Sequence, residues 1–249
     1  MNSQGSIFRI FQHSEEFFES LGKTETSKNL VARQTLIILL FTLLYGVVMG
    51  SYNGFLQSIV TGIKIPCLIS LSLLICLPAL FVIQYMIGST MSLGQMINII
   101  LAGFIVFSTI ALSFSPIVIF FMITSDNYSF LKLLHVGIFT FSGIFAVKTI
   151  IDGLQFACEK KNIYPKLGLK IFKIWIVILA FVSSQLAWNL RPFVGSRDLP
   201  FELFRQKESN FYVAVIQSVG NLVDPEKPKQ QNGKKTQTQQ QTPDTNKVK

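Results

Sequence analysis

Apolar residues run through this chain in blocks too long for a soluble helix or strand. No charged residue interrupts 34–63, and none interrupts 65–125. A soluble element needs a wetted face and breaks such runs with polar groups. A bilayer core of about 30 Å is crossed by roughly 20 apolar residues in helical form. Five segments meet that length: 35–54, 65–87, 95–122, 130–151 and 171–190. The block 65–125 is too long for one span, and its break falls at Gly88-Ser89-Thr90-Met91-Ser92, where small and polar residues cluster. Ser125-Asp126-Asn127-Tyr128-Ser129 supplies the next turn. Short turns join antiparallel neighbours, so spans two, three and four are expected to pack as successive hairpins. A membrane barrel would need alternation that runs such as 36–44 lack. The expected fold is all-α: a polytopic membrane helix bundle of five transmembrane helices with interfacial amphipathic helices.

Three stretches outside the spans repeat at helical spacing. Ile7, Phe8, Ile10, Phe11, Phe17, Phe18 and Leu21 share a face, with Arg9, Gln12, Glu15, Glu16 and Glu19 opposite. Such a helix lies in the interface or packs on the bundle. Phe55, Leu56, Ile59, Val60 and Ile63 repeat the pattern briefly and predict an element lying flat in the interface. Phe211, Tyr212, Val215, Ile216, Val219 and Leu222 form a third face, with Ser209 or Asn210 as N-cap. From 224 to 249 the only apolar residue is Val248. That tail cannot bury enough surface to offset its ordering entropy and is expected to be disordered. The domains expected are 1–34, 35–190, 191–223 and 224–249.

Composition agrees. Among 249 residues only 14% are charged and mean hydropathy is +0.48, whereas soluble domains carry about 25% charge. The net charge of +9 would suit nucleic acid in a soluble protein. Here no recognition motif accompanies it, and Lys and Arg flank the spans. The partner expected is therefore the lipid bilayer, with its anionic headgroups, and not nucleic acid. Arg9, Lys23, Lys28 and Arg33 precede span one; Lys160, Lys161, Lys166 and Lys170 lie between spans four and five. The loop after span one has only Lys64, and the next two loops have none. This asymmetry puts the N-terminus on the cytoplasmic side of the membrane and the tail outside, although Arg191 and Arg197 oppose the latter. Residues 1–34 lack the apolar middle of a cleavable signal, so span one is expected to act as an uncleaved one. Cys67, Cys76 and Cys158 have no metal-ligand spacing and read as fillers or incidental thiols, Cys158 in a polar loop.

Gly46, Gly50 and Gly54 form a small-xxx-small series on span one. It suits close helix packing, within the chain or in a homo-oligomer, or else a ligand groove. Gln84, Asn98, His135, Lys148 and Gln185 are polar residues in the spans and so candidates for function. Each also has a structural reading: bonds across helices, or for Lys148 a pair with Asp152 four residues on. Lys132 can snorkel. Pro78 and Pro116 loosen spans two and three. Trp188 and Arg191 suit a headgroup-level belt. No span offers a carboxylate partner for a proton relay, and no Walker loop, His-Glu-x-x-His or Gly-x-Ser-x-Gly is present. No catalytic residue, cofactor or metal site is therefore expected. The function expected is a non-enzymatic scaffold or subunit of a membrane complex. A transporter subunit is the alternative, marked by a mid-membrane cavity lined by Gln84, Asn98 and His135. A membrane enzyme built on Arg191, Arg197, Glu202 and Arg205 is the third reading.

Gly88, Ser89, Ser92, Gln95, Gly103 and Pro116 make a Gly-Ser-x-x-Ser-x-x-Gln turn entering a Gly-broken, Pro-ended span. Over 35–190 this pattern resembles the Yip family of membrane proteins. The resemblance implies five spans with a cytoplasmic N-terminus and, for eukaryotic members, partnership with small GTPases in trafficking. The blocks 185–196 and 201–205, with Asn210-Phe211-Tyr212, fall outside that pattern. They are similar to uncharacterised bacterial multi-pass proteins.

Overall fold

The computed structural model describes residues 28–89, 91–125, 127–159 and 166–194. Both outer amphipathic stretches and the polar tail lie outside these. The described residues form six helices: α1 (Lys28–Gly50), α2 (Phe55–Met86), α3 (Leu93–Ser113), α4 (Ser115–Thr124), α5 (Tyr128–Glu159) and α6 (Lys166–Asn189). No strand occurs among them. With α3 and α4 read as one broken span, five segments are long and apolar enough to cross a membrane. Large apolar side chains point away from the protein on every span. Leu36, Leu74, Ile123, Ile144 and Val177 are all more than 60% exposed, as lipid-facing surface requires.

The chain's own chemistry sets the breaks. Ser92 caps α3: its Oγ accepts from the Gln95 N–H at 3.3 Å, and its own N–H donates to Gln95 Oε1 at 3.1 Å. This reciprocal box satisfies two amides that a helix start leaves open. At the other end of the span Pro116 sits in the first turn of α4 and separates it from α3. Pro66 and Pro78 instead lie inside a continuous α2. Beside Pro78 the Trp175 indole N–H donates to the Cys76 carbonyl at 2.9 Å, which ties α6 to α2.

Packing follows sequence order for α1–α2 and for the expected hairpin of spans three and four, and departs from it elsewhere. α1 packs on both α2 and α3, α5 on α3, and α6 on α2, while α2 and α3 share little contact. The expected hairpin of spans two and three is thus replaced by an α1–α2 pair. Glycine explains it. A Cβ on Gly46 would lie 2.7 Å from the Thr61 carbonyl, and one on Gly50 2.5 Å from the Gln57 carbonyl. Gly62 of α2 meets Val47 from the other side. Without side chains there, backbones close to a distance that gains dispersion contacts in a medium with no hydrophobic drive between helices. The face offered for packing or dimerisation is covered by the chain's own α2. Gly54 is no part of it: the residue follows α1 at φ 136° with open space around its Cα. Gly103 plays the equivalent role between α3 and α5, against Ile150 and the Ala146 carbonyl.

Two boundaries also differ. The stretch expected to lie flat at 55–63 forms the first turns of α2. α5 continues to Glu159, so Cys158 is a buried helical residue and not a loop thiol. Lys148 and Asp152 do not end α5, because charges near a membrane surface can turn their tips toward water, and Lys64 does not end α2, because its ammonium donates to the Pro192 carbonyl.

Candidate functional site

The buried polar side chains that do not bond their own helix fall in two groups along the bundle. Aromatic pairs fix the register of α3 and α4 against the antiparallel α5: Phe107 with Phe139 (5.8 Å) and Phe121 with Phe130 (5.0 Å). His135 therefore lies level with the α3–α4 junction. Asn98 is about 25 Å away along the bundle, at 1.5 Å per residue. Gln84, in the last turn of α2, belongs to the Asn98 end. The three residues expected to line one cavity do not come together.

At the Asn98 end, Gln34, Gln84 and Asn98 are buried. The side-chain oxygens of Gln34 and Asn98 have no hydrogen-bond partner among the described residues. Lys148 is exposed, Asp152 is half-buried, and the two make no ion pair.

At the other end the Tyr45 hydroxyl and His135 Nδ1 are 2.8 Å apart, with both residues buried. The rings meet edge to face at 5.8 Å. A neutral imidazole has one donor and one acceptor nitrogen, so the tyrosine fixes the role of Nδ1 and leaves Nε2 the opposite one. Nε2 and the buried Ser115 hydroxyl are unpartnered among the described residues. Tyr45→Phe and His135→Leu should each cost about 1–3 kcal/mol by stranding the other polar group. The double variant should be more stable than the sum of the single losses predicts, because it removes both. Thermal unfolding of the purified variants reads this directly, and strict additivity would show that the bond contributes nothing.

The same end carries a cluster that patterning missed. After α6 the chain turns across the start of α2, and α2 holds it through one stripe. Gln57 Nε2 donates to the Pro192 carbonyl at 3.0 Å, and Lys64 Nζ donates to the same oxygen at 3.1 Å. Thr61 Oγ1 donates to the Phe193 carbonyl at 2.8 Å, a group that Gln57 also reaches. From α5, the Tyr128 hydroxyl donates to the Val194 carbonyl at 2.8 Å. Pro192–Val194 thus form a strap joining α2, α5 and α6. Trp188 is buried with the Arg191 guanidinium stacked 3.2 Å above its ring, and Gln185 is half-buried one turn earlier. Residues 57, 61 and 64 recur at helical spacing, a signal lost when the segment is read as a surface loop.

Chemically, the cluster is a set of donors facing backbone carbonyls. Among the described residues no three His, Cys, Asp or Glu side chains are grouped to hold a metal ion. Arg197, Glu202 and Arg205 lie outside the described residues. No protein-family model, curated protein or solved structure matches this chain.

Proposed function

We propose that this protein is a non-enzymatic subunit or scaffold of a membrane complex, seated in a bacterial plasma membrane with its N-terminus in the cytoplasm. One observation carries the reading: most buried polar side chains serve the chain's own backbone. Gln57, Thr61 and Lys64 hold the strap. Thr42, Ser72, Ser108 and Ser142 bond carbonyls of their own helices. Groups used this way fix architecture and leave little for handling a substrate. The orientation rests on Arg9, Lys23, Lys28 and Arg33 ahead of span one and on Lys160, Lys161, Lys166 and Lys170 between spans four and five. Native mass spectrometry after extraction in mild detergent tests the role. A stoichiometric partner or self-association is expected, and a lone monomer at every detergent concentration would contradict it.

A transporter subunit is the second reading, favoured by the unpartnered oxygens of Gln34 and Asn98. It predicts that Asn98→Cys, with Cys67, Cys76 and Cys158 replaced by alanine, reacts with a membrane-impermeant thiol reagent. The scaffold reading predicts protection.

A further inference from the structure

We propose that the amphipathic stretch 7–21 docks on the last turns of α2 and covers the apolar tip where α2 turns into α3. Helix length exposes that tip. Gly46 faces Thr61 and Gly50 faces Gln57, so α1 and α2 run antiparallel in a fixed register. In that register Lys28, where α1 begins, lies level with about Ala79. α2 continues to Met86, about 10 Å further at 1.5 Å per residue. Phe81, Val82, Tyr85 and Met86 share a face there, and Tyr85 and Met86 are 79% and 80% exposed. Leu93, across the turn at the start of α3, is exposed too. The Trp175 bond to Cys76 sets the exposed Lys170 and Lys173 of α6 beside the same turns of α2. Apolar surface level with these ammonium groups meets headgroups and water in place of hydrocarbon.

Position and charge select the occupant. The stretch 7–21 itself lies outside the described residues. In sequence it has an apolar face centred on Phe11 and Phe18, and it joins the chain at this same end of the bundle. Gly22 stops the helical pattern. Residues 22–27 span about 20 Å when extended, enough to carry Leu21 from the start of α1 to the end of α2. The opposite face holds three glutamates, Glu15, Glu16 and Glu19, against one arginine, Arg9. Anionic lipid repels such a face, whereas Lys170 and Lys173 attract it.

The reporter is Met86→Cys in the full-length chain, with Cys67, Cys76 and Cys158 replaced by alanine. The protein is held at one copy per nanodisc of phosphatidylcholine and phosphatidylglycerol. A membrane-impermeant maleimide should label the introduced thiol slowly. Phe11→Glu with Phe18→Glu should speed labelling about tenfold, because neither side chain then seats on α2. Glu15→Lys with Glu19→Lys should speed it as well, by repulsion from the α6 lysines. All four positions precede α1, so the spans keep their sequence. An unchanged rate in the phenylalanine pair would overturn the docking and leave lipid as the cover. No acceleration in the glutamate pair would overturn it in favour of the anionic bilayer surface as the seat of 7–21. Fast labelling at one copy per disc that slows at two copies would assign the face to a second molecule and overturn the assignment to 7–21.

Discussion

Gly50→Ala should lower the unfolding temperature of the detergent-solubilised protein by roughly 5–10 °C. The added methyl would fall 2.5 Å from the Gln57 carbonyl and 2.8 Å from the Ser58 Cα. Both are backbone atoms of α2, so no side chain can swing aside, and the helices must separate. Overpacking of this kind costs about 1–3 kcal/mol, and each kcal/mol moves a chain of this size by about 2–4 °C. Separation would also loosen Gly46 against Thr61, because one hairpin carries both contacts. The matched control is Gly137→Ala on α5, where an added Cβ meets nothing within 4 Å. There the higher helix propensity of alanine should stabilise by about 1 kcal/mol. Opposite signs at two membrane-embedded glycines would separate close packing from a general response to glycine loss. Equal shifts would mean that α1 and α2 do not approach as described.

The strap carries the second large effect. Gln57→Leu with Thr61→Val removes every donor named here for the Phe193 carbonyl and one of two for Pro192. A carbonyl stranded at the membrane surface costs about 1–3 kcal/mol. The strap should therefore release, and hydrogen exchange at the Arg191, Phe193 and Val194 amides should rise by one to two orders of magnitude. Thr61→Val alone should have a smaller effect, since Gln57 Nε2 is already 3.3 Å from the same oxygen. Slow exchange at 191–194 in the double variant would show that the donors on α2 do not hold the strap.

The spans were legible because hydrocarbon forbids charge: the uncharged block 65–125 could only be two crossings. Their ends were less so. Lys64 lies inside α2 and Lys148 inside α5, and a lysine that bonds a carbonyl or reaches the surface from within a helix looks in sequence like the end of a span. Gly46 and Gly50 were readable as a close-packing face, but not which helix fills it. The answer depended on Gly62, which sat in a segment read as interfacial. The long-range pairs carried no local signal: Tyr45 and His135 are 90 residues apart, and Gln57 and Pro192 are 135 apart. Polarity flagged His135 but not its partner. Trp175, among the most buried side chains, gave no cue because it stands in a mostly apolar run like every other span residue.

Extraction of expressing membranes with alkaline carbonate tests the central claim most directly. Five helices with apolar outer faces have no water-compatible surface to retreat to. The protein should stay entirely in the membrane pellet and leave it only on addition of detergent. Release into the carbonate supernatant as a soluble, monodisperse species would contradict the account from its first step.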